Sequence, residues 1–337
     1  MRSLQVSADN GVYDIVIGSG ILNAWQPDGP YAVVTDRNVY ESHGDVFPES
    51  AYALVLEPGE QTKSFTQLER ILDALARRNV DRNASLIAFG GGVVGDITGL
   101  AAALYKRGVS YIQVPTTLLA QVDSSVGGKV AVDLPAGKNL AGVFLQPQLV
   151  MADTDILRTL PERELSAGMA EVIKYAFIAD KDLYVQLRSG TYDMESLVAT
   201  CCAIKARYVA QDPYDRGVRM ELNYGHTVGH AIESATGYGE YLHGEAIAVG
   251  MVCAATIGEI LGVSPRGLAA DTAALVESAG LPARVPADVL LGAAKYIVRD
   301  KKSVDGKVRF VLIDQIGHAV LYDISVKELE CLLKTML

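Results

Sequence analysis

Between Tyr13 and Val114 short apolar runs alternate with longer stretches of helical periodicity, and this alternation restricts the fold more than any other feature of the chain. Tyr13 to Ile17 alternates weakly and ends in Gly18-Ser19-Gly20, as an early strand would. Tyr31 to Asp36 is a short buried strand closed by an acid, and Ala53 to Leu56 is another, running into Glu57-Pro58-Gly59-Glu60. Ser64 to Arg78 places Leu68, Ile71, Leu72 and Leu75 on one helical face. Leu86 to Phe89 reads as a strand, Gly90 to Gly95 as a glycine turn, Ile97 to Lys106 as a helix and Tyr111 to Val114 as the next strand. Successive units of this kind predict a parallel, Rossmann-like sheet with helices on both faces.

Beyond Thr159-Leu160-Pro161 the pattern becomes almost wholly helical. Glu162 to Phe177, Leu183 to Gln186, Met194 to Gln211, Gly225 to Ala235, Gly244 to Leu261 and Pro265 to Ala279 are predicted helices, and residues 309–313 and 319–322 form a small hairpin. The expected organisation is an α/β domain over 1–160 and a mainly α-helical domain over 161–337, with no internal repeat.

A net charge of −10 excludes nucleic acid and anionic membranes as main partners, so an anionic substrate would need a local basic patch. The four cysteines lack metal or redox spacing. The N-terminus has no apolar core or cleavage pattern, and the longest apolar run, Ala246 to Gly258, is too short for a bilayer span. A cytoplasmic protein is expected.

Four segments carry chemistry. Phe89-Gly90-Gly91-Gly92-Val93-Val94-Gly95-Asp96 joins a strand to a helix, where glycines let backbone approach a phosphate and the helix N-terminus supplies amide donors. It lies outside the first βα turn, and Asp36 is positioned to take the ribose role. Lys129, after Gly127-Gly128, and Lys138, followed by Asn139, set ammonium groups beside bare backbone and point to an anion pocket. Three of the five histidines, His226, His230 and His243, fall within eighteen residues. His226 and His230 are i and i+4 on one helix face, as in a site for a divalent metal. Glu171 and Lys174, i and i+3 among apolar residues, pair a possible carboxylate ligand with a cation.

Taken together GGGVVGD, VPTTLLAQVDSSVGGK, GKN, AEVIK, NYGHTVGHAIE and HGEA, in that order, closely resemble the 3-dehydroquinate synthase family over nearly the whole chain. The resemblance implies an NAD-binding α/β domain and a helical metal-binding domain. It implies conversion of 3-deoxy-D-arabino-heptulosonate 7-phosphate to 3-dehydroquinate and phosphate, a step of the shikimate pathway to aromatic amino acids. In the family NAD transiently oxidises the substrate, phosphate is eliminated, the hydride returns and the product closes by an intramolecular aldol.

Matched position by position, the implied ligands of Zn2+ or Co2+ are Glu171, His226 and His243, with His230 contacting substrate and assisting proton transfer. The implied NAD residues are Asp36, Pro58, Gly59, Glu60, Gln61, Thr62, Lys63, Gly91, Gly92, Val93, Val94, Gly95, Asp96, Thr116, Thr117, Lys129, Lys138, Ile156, Leu157, Arg158 and Thr159. Substrate residues are Lys129, Lys138, Asn139, Lys174, Arg219, Asn223, His230, Lys301 and Lys302, joined by Arg107 from a neighbouring subunit of a homodimer. Asp123, Lys129, Lys174, Asp215, Asn223 and His230 are the implied catalytic set. The chain departs from the family at Asp215, which stands for a usual glutamate, at Pro213, where an acid is usual, and at Asp133, in place of a common asparagine. The rival readings are a cyclase acting on another sugar phosphate, a metal-dependent polyol dehydrogenase and a non-enzymatic nucleotide sensor, the last having no need for an open metal site beside paired lysines. The VDSSVGGK segment and Arg219, as a carboxylate partner, favour the dehydroquinate branch.

Overall fold

The computed structural model describes residues 1–8, 11–48, 51–237, 239–299 and 306–336. Its strands are β1 (Arg2–Ala8), β2 (Gly11–Gly18), β3 (Tyr31–Asp36), β4 (Tyr52–Leu56), β5 (Ser85–Gly90), β6 (Tyr111–Pro115), β7 (Lys129–Leu134), β8 (Gly137–Phe144), β9 (Leu149–Asp153), β10 (Lys307–Gln315) and β11 (His318–Ser325). Its α-helices are α1 (Arg37–His43), α2 (Phe65–Arg77), α3 (Gly92–Leu104), α4 (Glu162–Ala179), α5 (Lys181–Ser189), α6 (Met194–Gln211), α7 (His226–Ala235), α8 (His243–Ile260), α9 (Leu268–Ser278), α10 (Ala287–Arg299) and α11 (Val326–Lys334). None of the described helices is long and apolar enough to cross a membrane.

Contacts divide the chain into two compact units. The first comprises Met1–Pro161 and Met194–Tyr214, the second Glu162–Asp193 and Asp215–Leu337. The first is built on a seven-stranded sheet in the order β1-β2-β9-β6-β5-β3-β4, parallel except for the edge strand β1. Because side chains alternate across a strand, Ala32, Val34, Leu86 and Ala88 face one layer with Leu68, Ile71 and Leu75 of α2 and Ile97 and Leu100 of α3. Val33, Ile87, Phe89, Ile112 and Val114 face the other, against Phe47 and Ile156. Burial on both faces is what a parallel sheet requires and explains the continuous apolar runs of its strands. The chain leaves β3 for β4 on one side and returns to place β5 on the other. Asp36 and Gly90 therefore end adjacent strands at a topological switch point, where open α/β sheets bind ligands.

Two sequence expectations change. Val93 to Gly95 belong to α3 rather than to a turn. A Cβ on Gly95 would come within 2.7 Å of the Gln113 Oε1 atom, so this glycine serves close helix–strand packing instead of chain reversal. Helix α6 packs with the first unit, not with the helices on either side of it in sequence. Its Cys202 thiol donates to the Gln121 carbonyl at 3.1 Å, and Lys205 pairs with the Asp123 carboxylate at 2.9 Å. Nothing in its own periodicity distinguishes one partner surface from another.

The second unit contains α4, α5, α7 to α11 and the β10–β11 hairpin. Helix α4 is buried over an unbroken run from Ala167 to Ile178, which includes Glu171 and Lys174.

Leu75 is fully buried beneath the sheet. Leu75→Ala is expected to lower unfolding stability by about 2–5 kcal/mol in denaturant titration; a loss below about 1 kcal/mol would contradict this packing.

Candidate functional site

In the second unit, glycines beside the histidines decide how closely three helices approach. A Cβ on Gly244 would lie 1.9 Å from the Ala167 carbonyl oxygen of α4. One on Gly225, at φ +80°, would lie 2.8 Å from the Ile247 carbonyl of α8. Bare backbone at these two places lets α8 settle on α4 and on the start of α7, and so brings together His226 and His243, the first residues of α7 and α8, and Glu171 of α4.

The resulting cluster is tight. Glu171 Oε1 lies 3.3 Å from His226 Nε2 and 3.5 Å from His243 Nε2. Ligand atoms around a tetrahedral zinc stand roughly 3.3 Å apart, so Glu171 Oε1 stands at the spacing of one coordination sphere from each imidazole nitrogen. His230 is exposed beside them, and one ring nitrogen from each histidine falls within 4.8 Å of the others.

Opposite ring atoms fix the imidazoles. His226 Nδ1 donates to the Tyr224 carbonyl at 3.1 Å, which turns its Nε2 toward Glu171. His243 Nδ1 faces Glu233 Oε2 at 3.3 Å. Both oxygens of Glu171 are buried and receive no hydrogen bond of normal geometry, while the Lys174 ammonium crowds one of them. A buried carboxylate so placed, with two imidazole nitrogens on it, fits a divalent cation.

Electrostatics agree with this fit. Burial pushes the Glu171 carboxyl up, but Lys174 and the two imidazoles outweigh it and hold the group well below the usual carboxylate range. Burial lowers His243, yet the two carboxylates facing its ring nitrogens, Glu171 and Glu233, raise it to about 10.

Arg219 and Asn223 lie on the 3-10 segment Val218–Asn223 that leads into α7. Arg219 is buried, and Asn223 Nδ2 donates to the Met220 carbonyl at 3.0 Å. Asp215 adopts a left-handed backbone, φ 58°. Lys301 and Lys302 lie outside the described residues.

In the first unit, α3 starts at the carboxyl end of β5 with Gly91 as its N-cap and no side-chain cap, which leaves amide donors for an anion. A Cβ on Gly91 would stand 3.1 Å from Thr117 Cγ2, and one on Gly92 3.1 Å from Ser124 Oγ. The buried Thr116 hydroxyl makes no hydrogen bond. Asp36 caps α1, accepting from the Val39 amide at 3.1 Å. A glycine cradle, an uncapped helix start, an unsatisfied hydroxyl and an acid at the adjacent strand end fit a dinucleotide.

Lys63 is buried and joins Asp96 to Asn139. Burial lowers its ammonium, but the charges of Asp96 and Glu60 raise it overall. Lys138 stands 3.9 Å from Glu60, in the 58–63 segment, where Gly59 takes φ 105°. Lys129 opens β7, and the Asn139 backbone N–H donates to Asp133 Oδ1 at 2.8 Å. Ile156 and Leu157 are buried, Arg158 pairs with Asp155 at 2.9 Å, and Thr159 meets the His43 ring at 2.6 Å. Arg107 is exposed, in a left-handed turn after α3.

Two residues here escaped sequence reasoning. Lys205 is buried against Asp123; the signal was a lysine set among Cys201, Cys202, Ile204 and Tyr208 on a buried helix face. Glu233 follows His226 by seven residues, the same helix face two turns on.

Two outcomes are expected. Gly244→Ala forces α8 off α4 and abolishes stoichiometric Zn2+ binding, measured by metal analysis after gel filtration; a variant that keeps one zinc per chain would refute the role of this contact. Because a cation needs the His243 lone pair, Zn2+ uptake at pH 7 should release a proton. Apparent affinity should then fall roughly tenfold for each pH unit below about 10 and level off above it. Calorimetry in buffers of different ionisation enthalpy reads the proton directly, and identical heats in all buffers would contradict it.

Comparison with known proteins finds relatives along nearly the whole chain. Residues 53–167 match the model for the N-terminal part of 3-dehydroquinate synthase, and residues 168–303 match the model for its C-terminal part. A 3-dehydroquinate synthase of Saccharophagus degradans is 45% identical over 344 residues, covering 96% of this chain and 95% of that protein. One from Acidithiobacillus ferrooxidans is 46% identical over 345 residues, covering 95% and 94%. Among solved structures, 2-deoxy-scyllo-inosose synthase complexed with carbaglucose-6-phosphate, NAD+ and Co2+ superposes with a TM-score of 0.87 at 27% identity over 99% of both chains. The 2-epi-5-epi-valiolone synthase of Streptomyces hygroscopicus with NAD+ and Zn2+ bound gives 0.82 at 26%, again over 99% of both chains. With both family models matched and relatives this similar along nearly its whole length, the chain belongs to the 3-dehydroquinate synthase family.

Proposed function

We propose that this chain is a 3-dehydroquinate synthase, converting 3-deoxy-D-arabino-heptulosonate 7-phosphate to 3-dehydroquinate and inorganic phosphate with NAD and a divalent cation, Zn2+ or Co2+. The observation that carries the reading is the convergence of Glu171, His226 and His243 at zinc-like spacing beside a buried lysine. When bound, NAD takes up and returns a hydride, and the cation lowers the barrier to removing a hydroxyl proton.

The chain's own residues supply the rest. Glu171, His226 and His243 hold the cation, and Asp36, residues 58–63, 91–96, 116–117 and 156–159 hold the dinucleotide. Lys129, Lys138 and Asn139 of the first unit, and Lys174, Arg219 and Asn223 of the second, supply the cations and amides that bind and orient the carboxylate and phosphate of the substrate. His230, exposed at the rim of the cluster, moves the proton. Lys205 fixes the Asp123 carboxylate, and Asp215 takes the place of the family glutamate. The chemistry is redox-neutral overall, since the oxidised carbon is reduced again. The higher identity to dehydroquinate synthases than to the two other cyclases favours this substrate over another sugar phosphate.

We assign the enzyme to the cytoplasm, consistent with four free thiols. We also infer a homodimer in which Arg107, on its exposed turn, reaches the phosphate held by the partner. Mixing inactive Arg107→Ala and Lys174→Ala chains should then restore activity through sites that draw one intact residue from each; mixtures as inactive as the parents would end that reading.

Purified protein given the heptulosonate phosphate, Zn2+ or Co2+ and NAD far below the substrate concentration should release phosphate and dehydroquinate in equal amounts, with no net NADH. Absence of phosphate, or NADH accumulating in step with turnover as a polyol dehydrogenase requires, would overturn the assignment.

A further inference from the structure

The two histidines beside Glu171 are held from behind by chemically different partners. His226 Nδ1 rests on a neutral backbone carbonyl, that of Tyr224. His243 Nδ1 rests on a carboxylate, Glu233 Oε2 at 3.3 Å. Glu233 is 3% exposed, so this carboxylate has left water and is set by packing within α7. It lies on the far side of the His243 ring from Glu171, which faces Nε2 at 3.5 Å. An ionised carboxylate only accepts hydrogen bonds, so Nδ1 keeps its proton on Glu233, and the Nε2 position that faces Glu171 is the one a cation would take, displacing any proton there.

We infer that Glu233 is a positioning residue for the metal centre: it fixes the tautomer and ring direction of His243 and strengthens Nε2 as a donor. The inference rests on the metal set proposed above and adds to it a residue that touches neither cation nor substrate. His226 and His243 are each the first residue of their helix, so neither ring is locked by helical neighbours on both sides. His226 borrows its orientation from the backbone two residues earlier. His243 takes its orientation from another helix, through a side chain. Loss of an outer carboxylate of this kind typically weakens metal binding 10- to 100-fold.

The substitution Glu233→Gln separates orientation from charge, since the Gln carbonyl can still accept from Nδ1 while Glu233→Leu removes both. Co2+ affinity is measured by competition with a chromophoric chelator, and the Co2+ visible spectrum reports the ligand geometry. Glu233→Gln is expected to bind Co2+ about tenfold more weakly with a spectrum close to that of the parent. Glu233→Leu should lose about a hundredfold and change the spectrum. Both should bind NAD as the parent does, because the glycine loop lies in the other unit. Affinities and spectra equal to the parent in both variants would overturn the inference. Should either variant fail to fold, the parent chain still decides the matter: 15N-resolved spectra of the Zn2+-loaded enzyme should show the His243 Nδ1 proton far downfield and slow to exchange, as when bonded to a carboxylate, and an Nδ1 proton exchanging freely with water would refute the role. A parent that binds Co2+ but releases no phosphate would defeat the proposed reaction and leave the Glu233 result standing, whereas a parent that binds no Co2+ would defeat both.

Discussion

Everything in the second unit depends on a carboxylate buried in apolar surroundings. Removing an ionised carboxylate from water costs several kcal/mol unless opposite charge and hydrogen bonds repay it. Glu171 sits at 1% exposure in the middle of α4, among Val172, Ile173 and Tyr175, which are buried as deeply. Lys174 supplies one compensating charge a turn away, and two imidazole nitrogens supply a further surface that a cation would bind together. The glycines at 225 and 244, the entry of α7 and α8 at their histidines and the carboxylate behind His243 all follow from holding that arrangement at one point.

The first unit solves a different problem. A sheet buried on both faces leaves only its strand ends for chemistry, and the order of the strands decides which ends diverge. The glycine cradle at the end of β5 and the acid at the end of β3 meet at that divergence. Gly95 lets α3 lie close to the sheet, which aims its uncapped amides over the same crevice.

Much of this was legible in the chain itself, because burial writes a period into sequence. The runs at 31–36 and 86–89 are apolar on both faces and became central parallel strands. The face shared by Leu68, Ile71 and Leu75 became the buried side of α2. Less legible was whatever depends on a distant partner. Helix α6 reads the same whichever surface it covers, and its place against the sheet rests on contacts such as that of Cys202 with Gln121, eighty-one residues away. Strand β1 is an edge strand with exposed alternate residues, and so lacks the apolar run that marked the others. At the site, His226 and His230 share a helix face and read as two ligands of one metal, yet the carboxylate that faces the Nε2 atoms of both His226 and His243 belongs to α4, fifty-five residues before His226. Only the family resemblance separated the roles. Glu233 and Lys205 lay hidden for the opposite reason, since a buried charge looks like a surface one until its partner is known.

The measurement that bears most directly on the metal centre is X-ray absorption at the zinc edge of the loaded protein, which counts imidazole rings from their outer-shell scattering. Two imidazoles and a carboxylate oxygen, reduced to one imidazole by His243→Ala, is the result required by Glu171, His226 and His243. Three imidazoles with no carboxylate would contradict it and return His230 to the ligand set.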